Sequence, residues 1–167
     1  MQKLIKLHGH AADWANDRFV NVAEDEPMPD AGGVILSFAR YQAEGDALLD
    51  TGRPVGVRLE VDQAVEDLAY DLPRLSVVAL AFPKFRDGRQ YSAARILRER
   101  FGFDGEIRAV GDVLREQAAF MVRCGFDAFE PVDGSTPQEW VAAAFRFRHV
   151  YQRAADERLP AFVERES

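Results

Sequence analysis

Cysteine is nearly absent from this sequence, with Cys124 the one thiol among 167 residues. One cysteine excludes an internal disulfide, and it excludes a cysteine-ligated iron–sulfur cluster even together with the three histidines. No apolar run approaches the roughly 18 to 20 residues of a membrane span, and the first residues lack the apolar region of a signal peptide. We therefore expect a cytoplasmic protein with no membrane contact.

Several cofactor signatures are also missing. The chain has no GxGxxG dinucleotide fingerprint, no Walker phosphate loop and no GxSxG nucleophile elbow. These absences predict no bound redox cofactor and no metal. The formal net charge of -7 disfavours a nucleic-acid binder. A chain of 167 residues, 47% of them hydrophobic, is long enough for one domain with a full core.

The most informative stretch is 80–125, which alternates strand and helix signals. An apolar run over 75–82 is followed by a polar loop, a helical pattern over 91–101, a short strand over 107–110 and a second helix that ends before Gly125. Strands that alternate with helices of this length predict parallel pairing with helical crossovers. In such sheets ligands bind at the carboxyl ends of the strands, where the FPKFRDGR loop and the Gly111-Asp112 turn both fall.

The remaining segments complete an α/β pattern. We expect an N-terminal leader with short strands over 1–32, an α/β domain over 33–152 and a charged tail over 153–167. Further predicted strands are 33–38, 55–59, 126–130 and 147–151, and further predicted helices are 40–49, 62–72 and one capped by Thr136. The fold class is α/β, with a mostly parallel sheet of five or six short strands, either open or an incomplete (β/α) barrel.

The loop after strand 75–82 is the main candidate site. It precedes a helix N-terminus, which suits an oxyanion because of its free N–H groups and partial positive charge. The candidate anion-binding residues are Lys84, Arg89, Ser92, Arg95 and Arg108. The alternative is structural: a turn at Asp87-Gly88, a cap at Ser92 and an arginine clamp.

Two carboxylates at the same edge, Asp87 and Asp112, are candidates for acid–base catalysis. Asp112 is alternatively the N-cap of the next helix. Further candidates for the same cleft are Tyr91, Arg115, Gln117 and Arg123. Cys124 precedes Gly125 at a helix C-terminus, a position that does not activate a thiol, so we interpret it as a buried small residue.

Charge is distributed unevenly along the chain. Lys and Arg outnumber Asp and Glu between residues 82 and 125, whereas the rest of the chain is strongly acidic. An arginine-rich centre would attract a small anion or an acidic partner surface. The alternative is that these arginines form ion pairs on helix faces, as the spacing of Arg95 and Glu99 allows.

Long motifs of this chain are similar to those of a known family. FPKFRDGR with the following YS, AR and LRERFG, and IRAVGDVL with RCGFDAFE, resemble the bacterial domain of unknown function number nine hundred thirty-four, over about residues 30–152. Its members are labelled as probable oxidoreductases involved in sulfite reduction and tend to be encoded beside assimilatory sulfite reductase. The family usually has Gly at the position of Gln90, a difference that we expect to alter only loop flexibility.

The resemblance implies a role in sulfur assimilation but supplies no active site. Our first hypothesis is an accessory protein of sulfite or sulfate reduction that binds a small oxyanion, sulfite reductase or the electron donor of that enzyme. The alternatives are a small (β/α)-type enzyme acting on an anionic metabolite and a cofactor-free interaction subunit. Exposed sheet edges would favour a homodimer.

Overall fold

The computed structural model describes residues 3–166, which form one curled sheet of eight strands with helices along one face. The strands are β1 (Leu4–His8), β2 (Ala11–Ala15), β3 (Phe19–Val22), β4 (Gly33–Ser37), β5 (Val55–Leu59), β6 (Val77–Phe82), β7 (Glu106–Gly111) and β8 (Ala128–Phe129). Their order across the sheet is β2-β1-β8-β7-β6-β5-β4-β3. Strands β3 to β8 are parallel neighbours in chain order, and the β1–β2 hairpin joins β8 antiparallel.

A short linker explains the curl of the sheet. Strands β2 and β3 lie at opposite edges, yet only residues 16–18 separate them in the chain. Eight strands laid flat would place these edges about 34 Å apart. The chain from Ala15 to Phe19 spans at most about 14 Å. The two edges must therefore approach each other, and the sheet is an open half-barrel.

The α/β class is confirmed, whereas the predicted count of five or six strands is wrong. The sheet has eight strands and is partly antiparallel. Residues 4–22, predicted as a leader with short strands, contribute three strands to this same sheet. The predicted strand over 147–151 does not form, and only an isolated bridge joins Val150 to Pro160.

The helices are α1 (Phe38–Asp50), α2 (Arg89–Arg95), α3 (Ala118–Cys124), α4 (Pro137–Ala144) and α5 (Ala161–Glu164), and α2 continues as a π-helix over Ile96–Arg100. The helix predicted over 62–72 is replaced by two 3-10 turns, Val65–Leu68 and Leu72–Arg74. The i,i+3 spacing of a 3-10 turn still buries Val65 and Leu68 together. No helix within residues 3–166 is long and apolar enough to cross a membrane.

The two faces of the sheet carry different cores. Alternate residues such as Leu80 and Phe82 pack against the helices. The opposite face is lined by small or branched residues that fit the inside of the curl, namely Ile35, Val77, Ala79, Ala81 and Val110. Helices on the outer face leave the carboxyl ends of β6 and β7 to be covered by loops, and these loops hold the predicted site.

Candidate functional site

The loop between β6 and α2 is held through both backbone polar groups of one residue, Phe85. The backbone N–H of Phe85 donates to Asp112 Oδ2 at 2.8 Å. The carbonyl oxygen of Phe85 accepts from Gln117 Nε2 at 3.3 Å. Within the loop, Asp87 N donates to the carbonyl of Lys84 at 2.9 Å. We call residues 83–88 the clamped loop, because its central residue is anchored to the turn and the helix that follow β7.

Gly111 places Asp112 at this position. The backbone φ of Gly111 is +91°, and Asp112 N donates to the carbonyl of Phe82 at 2.7 Å. A Cβ on Gly111 would lie less than 3.0 Å from that same carbonyl oxygen. The turn after β7 therefore packs directly on the end of β6, which brings the Asp112 carboxylate to the clamped loop.

Gln117, the other half of the clamp, is almost fully buried. Its side-chain oxygen accepts from Leu114 N at 2.8 Å while its amide donates to Phe85. It also bonds the phenol of Tyr91, whose ring meets Phe82 edge-on. Burial raises the pKa of Tyr91, and the Gln117 bond partly offsets that rise. Tyr91 and Gln117 thus support the loop from beneath.

The clamped loop presents exposed cations and an aromatic ring. Lys84 and Arg86 are exposed, and neither has an ion-pair partner within the described chain, residues 3–166. The Phe85 ring between them is 40% exposed. The loop therefore offers two positive charges and an apolar side chain on a hydrogen-bonded backbone.

The other predicted anion ligands are already paired. Arg89 binds Asp87 through two hydrogen bonds, of 3.0 and 2.6 Å, and this bond lowers the pKa of the Asp87 carboxyl. Arg95 binds Glu99 on the same helix face at 2.9 Å. Ser92 is exposed and lies about one helical turn before Arg95. Both residues border the same shallow surface depression. Lys84 and Arg89 do not border this depression, so the predicted anion ligands do not converge on one site.

Arg108 lies elsewhere, inside the curl of the sheet. Its side chain has no exposed surface and is surrounded by three carboxylates, Asp17 at 2.7 Å, Glu106 at 2.7 Å and Glu130 at 3.2 Å. The ring of Phe19 closes the cluster. Arg108 is therefore inaccessible to an anion from solvent, because protein carboxylates already occupy its guanidinium.

The same cluster shifts the carboxyl groups in opposite directions. Burial raises the pKa of Glu130, and the nearby Arg108 charge offsets part of that rise. Asp17 is also desolvated, but its hydrogen bond to Arg108 and a backbone bond from Phe19 bring its pKa below the ordinary value. Arg108 is thus the counter-ion that keeps this interior charged.

Arg115 and Arg123, the remaining predicted residues, form ion pairs outside the clamped loop. Arg115 binds Glu139 at 3.1 Å on the surface. Arg123 binds Asp156 at 2.7 Å and also the carbonyl of Gln152. Burial raises the pKa of the Cys124 thiol, in agreement with an unactivated cysteine.

Gln90 has a role that the sequence did not indicate. Its side chain is 2% exposed, and its amide donates to the carbonyls of Leu59 at 3.1 Å and Ala81 at 3.2 Å. It thereby ties the start of α2 to the carboxyl ends of β5 and β6. We expected this position to alter only loop flexibility. Instead, the Gln90 amide satisfies two backbone carbonyls with hydrogen bonds.

We predict that Asp112→Ala loosens the clamped loop. Loss of one net hydrogen bond, about 0.5–1.5 kcal/mol, should speed tryptic cleavage after Lys84 and Arg86 by about two- to ten-fold. Limited proteolysis followed by mass spectrometry measures both sites. Asp112→Asn keeps an acceptor and should cleave at nearly the original rate, as should the exposed control Asp104→Ala. Equal rates for Asp112→Ala and the parent protein would show that the bond does not order the loop.

Fold and site together define an α/β half-barrel protein with a hydrogen-bonded cationic loop at the carboxyl end of its sheet. The chain belongs to the family described as bacterial protein of unknown function (DUF934), whose model matches residues 56–162. The matched region contains the clamped loop, Asp112, Gln117 and Arg108. No curated protein matches the chain significantly.

Proposed function

We propose that this protein is an accessory factor of assimilatory sulfite reduction that docks an acidic surface of sulfite reductase or of its electron donor. The docking element is the clamped loop. One observation carries the proposal: Phe85 is bonded at both its N–H and its C=O, so the free cations Lys84 and Arg86 are displayed on an ordered backbone.

Ordering matters for binding because freezing a loop backbone costs about 1–2 kcal/mol per residue. When Asp112 and Gln117 order the loop within the free protein, little of this cost remains at association. Fixed cations also steer an acidic partner and raise the rate of encounter. A half-exposed Phe85 between them adds apolar contact of the kind that is enriched at interface centres.

The paired state of the other candidates favours docking over oxyanion capture. Arg89 and Arg95 each already hold a carboxylate, so a sulfite ion would have to displace Asp87 or Glu99. Acid–base catalysis is disfavoured in the same way, because Asp87 binds Arg89 and Asp112 binds the loop backbone. A protein partner needs only the free charges of Lys84 and Arg86.

The sulfite-reduction context comes from the motif resemblance. The FPKFRDGR segment that carries the resemblance is the segment that forms the clamped loop. The motif residue Asp112 and the nearby Gln117, which both follow β7, are the residues that anchor it. Two of the three family-like motifs, FPKFRDGR and IRAVGDVL, therefore meet at one surface, as expected if that surface performs the shared task.

A charge reversal tests the docking proposal. We predict that Lys84→Glu with Arg86→Glu slows association with purified sulfite reductase holoenzyme, or with its acidic electron donor, by about ten-fold or more at low salt. The parent rate should fall as salt rises, because the Debye length shortens below about 10 Å above 0.1 M. Surface plasmon resonance at several salt concentrations gives both rates.

The control variant changes the net charge by the same amount at residues outside the clamped loop. Arg153 and Arg165 are exposed and have no ion pair within residues 3–166, so Arg153→Glu with Arg165→Glu should retain most of the parent rate. Equal decreases of the association rate in the two double variants would indicate a net-charge effect and contradict docking through the clamped loop. A sulfite-selective rise in the melting midpoint, at matched ionic strength, would instead favour the oxyanion hypothesis.

A further inference from the structure

The C-terminal segment forms one side of a partly open cavity that the clamped loop does not border. Residues 146–158 cross helices α2, α3 and α4 and leave a space of about 510 Å³ beneath them. Arg123 fixes this segment by binding Asp156 and the carbonyl of Gln152. Ala155 N donates to the carbonyl of Arg123 at 3.1 Å. The cavity walls are therefore built from bonded chain rather than from a loose tail.

The size and the walls of this cavity suit a small molecule. Ligand sites in proteins commonly measure about 300–1,000 Å³ and are mostly apolar. Three large aromatic side chains border the cavity without being buried by it: Phe120 is 64% exposed, Phe147 57% and Tyr151 89%. A ligand ring that packs among them would remove this apolar surface from water.

The charged residues that line the cavity are arginines, and two of the three are already paired. The lining contains Arg95, Arg123 and Arg158 and no carboxylate, but Arg95 binds Glu99 and Arg123 binds Asp156. Arg158 donates to the carbonyls of Phe147 and Arg148 and has no ion-pair partner within residues 3–166, so its positive charge is uncompensated. A negative group on the ligand would find a fixed guanidinium at the wall.

We propose that this cavity binds a planar aromatic anion, a ring system that carries a carboxylate, sulfonate or phosphate group. The ring packs among Phe120, Phe147 and Tyr151, and the anionic group faces Arg158. The site is separate from the clamped loop, and the docking proposal stands or falls independently of it.

A pair of fluorescent probes tests the charge requirement. 1-Anilinonaphthalene-8-sulfonate carries the ring and the anion, whereas N-phenyl-1-naphthylamine has the ring alone. The sulfonate should bind saturably at one site with a dissociation constant at least ten-fold below that of the neutral probe. Equal affinities, or no saturation with the sulfonate, would overturn the proposal.

Cavity-filling variants locate the binding. Ala119 lines the cavity, whereas Ala142 is exposed on the neighbouring helix and does not. Ala119→Trp should weaken sulfonate binding at least ten-fold, and the matched Ala142→Trp should leave it unchanged. Ala154→Trp fills the opposite wall and replaces Ala119→Trp if that variant does not fold. Binding that survives a folded filling variant would overturn the proposal.

The one thiol of the chain supplies an independent readout. Cys124 lines the cavity, so a bound probe should shield it from N-ethylmaleimide. Intact-mass spectrometry should show alkylation at alkaline pH slowed at least five-fold at saturating sulfonate and unaffected in Ala119→Trp. Alkylation at an unchanged rate under saturating probe would place the binding elsewhere and contradict the assignment.

Discussion

Replacement of Arg108 by methionine should lower the free energy of unfolding by about 3–5 kcal/mol, because a buried ion network would lose its central cation. The Arg108 side chain is fully buried and bonded to Asp17, Glu106 and Glu130. Methionine fills much of the same volume but leaves these carboxylates without their guanidinium. Urea denaturation of both proteins measures the loss.

The loss should depend on pH in a defined direction. Without Arg108, burial is no longer offset by its charge, so the pKa values of Asp17 and Glu130 rise in the folded state above those in the unfolded state. The variant therefore regains stability as the pH falls through these raised values, so its deficit should be smaller at pH 5 than at pH 8.

Arg115 provides the matched control for Arg108. It also pairs with a glutamate, Glu139 at 3.1 Å, but both side chains are 48% exposed. Arg115→Met should cost less than about 1 kcal/mol. Similar losses for the two variants, or a deficit at Arg108 that is independent of pH, would contradict the account of the sheet interior.

Substitution of Gly111 by alanine should cost about 3 kcal/mol through two effects. The positive φ of +91° disfavours an L-residue, and the new Cβ would overlap the carbonyl oxygen of Phe82. Relief of this overlap moves Asp112 away from Phe85. We therefore expect Gly111→Ala to lose stability and also to show faster tryptic cleavage after Lys84 and Arg86.

A second glycine separates the two effects. Gly52 also has a positive φ, of +74°, but its Cβ position is open. Gly52→Ala should cost only about 1 kcal/mol and leave the clamped loop unchanged. Gly111→Ala with the same cost as Gly52→Ala would show that the contact between the β7 turn and Phe82 tolerates a methyl group.

The sequence predicted the parallel part of the sheet because buried parallel strands are apolar throughout. The 75–82 run contains β6, whose six residues are all buried. The same signal fails for β2, whose residues Ala11–Ala15 are three alanines, an aspartate and the half-exposed Trp14. An edge strand buries little, so its sequence carries little strand signal.

The topology predicted where the site lies, but it did not predict which side chains are paired with each other. The rule that loops meet at the carboxyl edge correctly brought Asp112 beside the loop after β6. The bond between Asp17 and Arg108 joins residues 91 positions apart and depends on the curl of the sheet. No local sequence pattern predicts a contact between residues so far apart in the chain. For the same reason Arg108 appeared in the sequence as a candidate ligand rather than as an interior counter-ion.

A photo-crosslinking experiment tests the docking claim most directly. Phe85 is replaced by p-benzoylphenylalanine, which keeps an aromatic ring on the clamped loop, in cells grown with sulfate as the sulfur source. The control position is Tyr70, which is 90% exposed and lies in the connection that leads into the amino end of β6. The account predicts a crosslink from position 85, but not from position 70, to sulfite reductase or its electron donor. No such crosslink from position 85, or equal crosslinks from both positions, would contradict it.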